Sequence, residues 1–478
     1  MTLFDLPADT TACVGGIPDD AIEQGEVFTR SWVVDLVLDL VGYVPSTDLA
    51  ARTLVEPACG EGAFLGAVAE RVGRSCGLAG RSILDAAESV RAYDLLPRNV
   101  VASRERVAET LVQQGWPPDD AQSVARMWVR AGDFLLRGPA EHGADFVVGN
   151  PPYVRLEDIP DDRLIAYRER WPSMIGRADL YVGFLEAALS ALRPGGALGF
   201  ICADRWMRNQ YGRALRQLVC RDFAVDAVLS MHEVDCFEEP VSAYPAVTVL
   251  RNGRQGSALV ADTTAEFGSA QAAELLEWSR RGATSSVRES SFTASRTTGW
   301  FEHADSWPVG SPERLAFLAD LEKRLAPLHD AATGTRVGIG IATGADKVYL
   351  TQDDDLVERD RLLPLAMVAD IRGGHLAWSG TYLVNPWTPD GELVDLERYP
   401  RLAEHCARHG EQLTGRHIAR KQPPDARRHP ALPVAVPAQD PRARAGPVGA
   451  ERRRRVGGSL PAPRCRPRHP GRLARVRC

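Results

Sequence analysis

Ala144-Asp145-Phe146-Val147-Val148-Gly149-Asn150-Pro151-Pro152-Tyr153 reads as a short apolar strand that stops at an asparagine, two prolines and a tyrosine. Two consecutive prolines remove two backbone donors and fix φ, so the carbonyls of Asn150 and Pro151 are rigid acceptors with no amide of their own to answer. Asn150 adds a side-chain carbonyl. A planar NH2 on an sp2 carbon can then donate to two acceptors at once, which draws its nitrogen out of conjugation and leaves it nucleophilic. Tyr153 offers a ring on which a flat substrate stacks, a contact worth roughly 1–3 kcal/mol for a nucleobase. Stripped of its neighbours, the tetrapeptide is also a proline-stopped strand edge, because Asn-Pro is a common turn signal.

A nucleophile needs an electrophile, and a candidate site for one lies upstream. Thr53-Leu54-Val55 reads as a strand, followed by Glu56-Pro57-Ala58-Cys59-Gly60-Glu61-Gly62 and a helical run from Ala63 to about Val72. Gly60 and Gly62 let the backbone pass close to a ligand at the carboxyl end of a strand, where open α/β sheets bind nucleotides. The loop lacks the Lys-Ser/Thr of a phosphate cradle and begins with an acid, which suits a ligand bearing an ammonium or sulfonium rather than a pyrophosphate.

Read together, these motifs resemble those of the gamma-class, amino-methylating DNA adenine-N6 methyltransferases of restriction-modification systems, with a TaqI-type specificity region after the catalytic part; the resemblance spans residues 25 to about 425. It implies an α/β, Rossmann-like, S-adenosylmethionine-dependent methyltransferase domain followed by an α+β target-recognition domain. The implied cofactor is S-adenosyl-L-methionine, the implied partner double-stranded DNA, and a separate restriction endonuclease is left open as a second partner. In Gly25-Glu26-Val27-Phe28-Thr29, Thr29 would contact the cofactor's carboxylate. Glu56, Ala58, Gly60 and Gly62 form the loop under its methionine. Asp94, after Ser89-Val90-Arg91-Ala92-Tyr93, falls where the family grips the ribose hydroxyls, and Asp133 where it reads the adenine amino group, with Phe134 packing beside it. Asn150, Pro151, Pro152 and Tyr153 are the catalytic motif, and Phe237 resembles the second aromatic that sandwiches the target base against Tyr153. Asp179 to Phe184 and Leu192 to Ile201 resemble the helix and strand that support the pocket.

The spacing from Glu56 to Asp94 exceeds the roughly 20 residues of a simple Rossmann unit. The excess falls in a Gly/Ser-rich stretch near residues 73–85, expected to be a surface insertion. The mechanism implied is direct attack by N6 of a base rotated out of the duplex, held by Asn150 and the Pro151 carbonyl, so catalysis is mainly positioning and electrostatics. No strong general base is needed, and no Ser-His-Asp constellation or metal-ligand spacing is present, so no metal is expected. The rival substrate is the glutamine amide of a release factor, which presents the same planar NH2 to Asn-Pro-Pro-Tyr; those protein methyltransferases are much shorter and have nothing like residues 256–425. RNA adenine methylation is disfavoured by the same second domain.

Composition agrees with a folded intracellular enzyme. Across 478 residues, 44% are hydrophobic, enough for a real core in two or three domains. Nine cysteines, among them Cys59, Cys76 and Cys202, form no C-x2-C pair. Neither a basic leader nor an apolar run of membrane-spanning length is seen, so the expected partner is not a membrane and the expected location is the cytoplasm.

The expected organisation is an extension over 1–24, a catalytic domain over 25–255, an incomplete target-recognition domain over 256–425, and a tail over 426–478. Recognition elements are expected around Val337 to Leu350, Ala369 to Arg372 and Thr381 to Trp387. The 24 residues before Gly25 are too few for a fused nuclease. From Arg427 onward, fourteen arginines face only Asp440 and Glu451, leaving −18 on the body of a chain whose net charge is −6. DNA contact must then use a local basic stripe, with Arg205, Arg208 and Arg213 as candidates and a solvated helix face as the bland alternative. The tail has no Ile, Phe, Tyr, Trp, Lys, Met, Thr or Asn and should be disordered. With 54 arginines against three lysines, the gene is GC-rich, and such a gene read out of frame gives this alphabet; a frameshift near codon 426 is expected, against a natural basic tail that binds DNA phosphates.

Overall fold

Val90 to Asp94, Leu54 to Glu56, Ala144 to Gly149 and Leu192 to Ala203 are apolar on both sides of the strand, the pattern of a sheet covered on both faces. The computed structural model describes residues 27–414 apart from 138–142, 155, 240–243, 282–285, 300, 302, 308, 309, 331, 336, 338–342 and 391. The chain divides into two compact units between Ala326 and Pro327.

The first unit is built on ten strands: β1 (Leu54–Glu56), β2 (Val90–Asp94), β3 (Val129–Ala131), β4 (Ala144–Gly149), β5 (Leu192–Ala203), β6 (Ala224–Ser230), β7 (Pro245–Arg251), β8 (Ala258–Thr263), β9 (Val287–Arg288) and β10 (Phe292–Thr297), in the order β3-β2-β1-β4-β5-β7-β6-β8-β10-β9. Strands β3 through β5 are parallel. β7 runs antiparallel between β5 and β6, while β8 rejoins β6 in parallel. Alternate side chains serve opposite faces: Leu54, Val148 and Ile201 belong to one buried cluster, Val55, Val147 and Phe200 to the other. On the first face lie α1 (Ser31–Val41), α2 (Ala63–Ala79), α3 (Pro97–Gln113) and α4 (Pro118–Trp128); on the second lie α5 (Asp161–Arg170), α6 (Leu180–Ala191) and α7 (Arg213–Asp222). This is a Rossmann-like α/β architecture with helices on both faces of the sheet. Because β2 and β4 flank β1 on opposite sides, the connections leaving β1 and β4 diverge and open a crevice at their carboxyl ends.

Two expectations change. Residues 73–85 are not a surface insertion: α2 continues through them to Ala79 and a short 3-10 helix, Ile83–Ala86, follows. The reason is local: Ser75 is buried, its hydroxyl donates to the Thr47 carbonyl at 2.6 Å and accepts from the Leu49 amide at 3.0 Å, tying the helix to the chain before β1. The chain also does not divide after residue 255. β8, α8 (Ser269–Arg280), β9 and β10 extend the main sheet through ladder pairing, and the unit runs on to Ala326, past α9 (Pro312–Arg324).

The second unit is α+β. Its strands β11 (Leu350–Thr351), β12 (Leu362–Pro364) and β13 (Tyr382–Val384) pair antiparallel in the order β11-β13-β12, and α10 (Pro400–Arg408) packs Leu402 and Cys406 into their core. Of the expected recognition elements, 338–342 lie outside the described residues, Asp346–Tyr349 is a helical turn, Val368–Gly374 is a 3-10 helix, and Tyr382–Val384 is the central strand. Residues 1–26, with Gly25 and Glu26, and the tail 426–478 lie outside the described residues. No helix among the described residues is long and apolar enough to cross a membrane.

Gly199 in β5 sets how closely α1 approaches the sheet, since a Cβ there would fall 2.5 Å from Val41 Cγ1 and 2.9 Å from Val37 Cγ1. Replacing Gly199 with alanine should destabilise the first unit by about 1–3 kcal/mol through overpacking, measured as a lower denaturant midpoint; an unchanged midpoint would mean that α1 is free to shift.

Candidate active site

Four segments converge on the crevice: residues 27–29, the loop after β1, the ends of β2 and β3, and Asn150 to Val154 after β4. Together they line a concave cleft at the carboxyl ends of the strands, the usual place for a small-molecule site in an open α/β sheet.

The loop after β1 is held by its own backbone and by its neighbours. The Cys59 amide donates to the Tyr93 carbonyl at 2.9 Å, and the Gly60 amide donates to Asp94 Oδ2 at 2.9 Å. Gly62 adopts φ +84°, a conformation that penalises a Cβ, and one placed there would meet Ser103 at 3.0–3.4 Å. Ser103 in α3 donates to the Gly60 carbonyl at 2.7 Å, completing the turn. Asp94 Oδ1 accepts from the Leu96 amide and Asn99, so this carboxylate braces the glycine loop as well as lining the cleft.

Glu56 is 1% exposed and its Oε2 has no hydrogen-bond partner. Burial, reinforced by the nearby Asp94 carboxylate, pushes its pKa well above the usual carboxylate range. The same two acids, after burial itself, raise the Cys59 thiol, so it is no ready nucleophile.

Asn150 carries the most specific geometry. Its Nδ2 donates to the Val27 carbonyl at 3.0 Å and to Thr29 Oγ1 at 3.2 Å. The Val27 carbonyl can only accept, which fixes the amide's orientation and leaves Oδ1 buried with no partner. Residues 28–30 are in turn paired to the segment around Phe237: the Glu238 amide donates to the Phe28 carbonyl and the Arg30 amide to that of Cys236. Arg30 also bonds Asp235 at 2.6 Å.

Every expected site residue except Phe237 and Gly62 is among those lining the cleft: Thr29, Glu56, Ala58, Gly60, Asp94, Asp133, Phe134, Asn150, Pro151, Pro152 and Tyr153. Phe237 sits behind Tyr153, its ring centroid 6.2 Å away and the planes at 79°. This edge-to-face pair leaves no slot of parallel faces, so a base sandwich requires one ring to turn. Leu180 and Phe184 line the cleft as expected, Phe184 stacking on Phe134 at 6.1 Å, while Asp179 caps the boundary of α6. Arg205, Arg208 and Arg213 are exposed, but Arg208 is paired with the buried Asp204 and Arg205 lies 5.6 Å over the Tyr244 ring.

Sequence reasoning missed α5. Tyr167 lines the cleft and donates to Asp133 Oδ2 at 2.7 Å, and Arg163 bonds the same oxygen at 3.2 Å. The available signal was a lone aromatic in the charge-rich Asp161–Arg170 run, where Tyr167 rather than Leu164 or Ile165 is the buried position.

Comparison with known proteins gives the family. Residues 108–237 match the model of the Eco57I restriction-modification methylases. The chain is 37% identical over 406 residues to the type II methyltransferase M.XhoI of Xanthomonas vasicola, covering 84% of this chain and 74% of that protein. It is 37% identical over 404 residues to the type II methyltransferase M.PaeR7I of Pseudomonas aeruginosa, covering 84% and 69%. Among solved structures it is similar to the type IIG restriction endonuclease BpuSI, with 16% identity, a TM-score of 0.48 and coverage of 85% and 49%. The chain belongs to the type II restriction-modification methyltransferases. The rival reading, a release-factor glutamine methyltransferase, gains nothing from these relatives.

Glu56 allows a pH test. A carboxyl whose folded pKa is raised stabilises the fold while protonated and loses that contribution as pH rises through the folded value. Glu56→Gln should therefore gain stability relative to the natural chain as pH is raised above the ordinary carboxylate range, seen as diverging melting temperatures; parallel curves would place a bound cation or water on Oε2.

Proposed function

We propose that this methyltransferase transfers a methyl group from S-adenosyl-L-methionine to N6 of an adenine rotated out of duplex DNA, at a specific sequence, within a restriction-modification system of the cytoplasm. The observation that carries the reading is the locked amide of Asn150, which aims a buried, unpartnered Oδ1 into the cleft.

The cleft fits the cofactor. Unpartnered Glu56 Oε2 suits a cationic ligand, because a buried carboxylate without a partner is costly and a nearby positive charge relieves it. Thr29, whose hydroxyl accepts from Asn150, keeps its own proton to donate to a carboxylate. Ala58, Gly60 and Gly62 would hold the methionine, Asp94 the ribose, and Asp133 with Phe134 the adenine end. When bound, S-adenosylmethionine supplies an electrophilic methyl group on a sulfonium.

The chain's own residues do the rest. Asn150 Oδ1 and the Pro151 carbonyl accept the two N–H bonds of the target amine and turn its lone pair toward the cofactor. Asn150 cannot swing away, since doing so would strand the Val27 carbonyl and leave two buried groups unpaired, at about 1–3 kcal/mol each. Tyr153 supplies a stacking face that offsets part of the few kcal/mol spent on rotating the base from the duplex. The proton leaves after methylation, so no strong base is required. Residues 327–414 are assigned to target recognition, and a separate endonuclease would be the companion enzyme.

Asn150→Ala should lower methyl transfer to DNA by about 10²-fold or more, the scale of losing a preorganised polar contact, while the Kd for S-adenosylmethionine measured by calorimetry changes little. Loss of both together would make the motif's role structural. Asp94→Ala should instead weaken cofactor binding first, by releasing the Gly60 amide; unchanged affinity would remove Asp94 from the cofactor site.

A further inference from the structure

Asp133 is already saturated in this fold. Its Oδ1 accepts from the amides of Leu135 at 3.0 Å and Leu136 at 3.4 Å, and its Oδ2 from Tyr167 at 2.7 Å and Arg163 at 3.2 Å. A carboxylate offers about four acceptor positions, so all are taken. The group at the adenine end of the cleft that retains acceptor capacity is the Tyr167 hydroxyl, which spends its one proton on Asp133 and keeps lone-pair density.

We infer that Tyr167 is the residue that reads the 6-amino group of the cofactor's adenine, and that Asp133 is a positioning residue acting through it. This rests on the assignment of the cleft to S-adenosylmethionine made above. A free phenol could discriminate little, because it donates to a 6-oxo purine as readily as it accepts from a 6-amino one. Here the negative charge of Asp133 pins the hydroxyl proton, so the tyrosine presents only an acceptor and rejects a carbonyl at that position. Burial and the Asp133 charge also push the phenol's pKa up, keeping it protonated across the working range. α5 is built to hold it there: Tyr167 is 1% exposed, and just after the helix the Trp171 ring nitrogen donates to the Leu135 carbonyl at 2.9 Å, next to the amides that cap Asp133.

The test is binding of S-adenosyl-L-homocysteine against S-inosyl-L-homocysteine to the full chain, by calorimetry. The natural protein should prefer the amino compound by about tenfold or more, the ratio expected from one hydrogen bond. Tyr167→Phe should bring the two affinities within about threefold of each other in a protein that still melts cooperatively and still binds S-adenosyl-L-homocysteine. Asp133→Asn provides a second readout. The Leu135 and Leu136 amides demand the asparagine's oxygen, which turns its NH2 toward Tyr167, frees the phenolic proton and should shift preference toward the oxo compound. A Tyr167→Phe or Asp133→Asn protein that keeps the natural ratio overturns the inference alone. A natural protein that binds neither compound overturns the cofactor assignment and the inference with it.

Discussion

The constraint on which the site depends is the pair of hydrogen bonds from Asn150 Nδ2 to the Val27 carbonyl and the Thr29 hydroxyl. They join residues 123 and 121 positions apart in the chain, and they decide which end of a nearly symmetric amide faces the cleft. The backbone that supplies those acceptors is itself fixed by pairing with Cys236 and Glu238. One local choice of amide orientation is thus underwritten by two further segments, and it leaves a desolvated acceptor with no partner in the protein. A buried unpaired acceptor costs stability, and under the proposed function the target amine offsets that cost.

A second constraint comes from charge. Glu56 and Asp94 lie at the ends of adjacent parallel strands, both buried, and burial together with the Asp94 charge pushes the Glu56 pKa up. Asp94 is stabilised by three donors from the loop, Leu96 and Asn99; Glu56 keeps an oxygen with none. The asymmetry leaves Glu56 as the acid at the cleft with an oxygen that has no partner within the fold.

Much of this was legible in the residues. Strands β1, β2, β4 and β5 announce themselves because they are buried on both faces, and the Glu-Pro-x-x-Gly-x-Gly and Asn-Pro-Pro-Tyr stretches mark where the chain leaves the sheet. The parts that were not legible depend on distant partners. Ser75 and Gly73 read as loop formers, yet the contacts of Ser75 with Thr47 and Leu49 keep that stretch helical. A domain boundary was expected after residue 255, but β8 returns to β6 by ladder pairing that no local pattern reveals. Tyr167 was invisible because a short helix whose apolar residues are the consecutive run 164–167 gives no hint of which side will cover a pocket. Phe237 was correctly brought next to Tyr153, but its ring angle is a packing outcome.

The most direct measurement is nucleoside mass spectrometry of unmethylated DNA after incubation with the full chain and methyl-labelled S-adenosylmethionine. An unpartnered acceptor at Asn150 suits an exocyclic amine as the target, so the label should appear on an exocyclic base nitrogen, and under the proposed function in N6-methyldeoxyadenosine. Label in 5-methyldeoxycytidine, where the methyl is carried on ring carbon and no amine needs holding, would contradict the account.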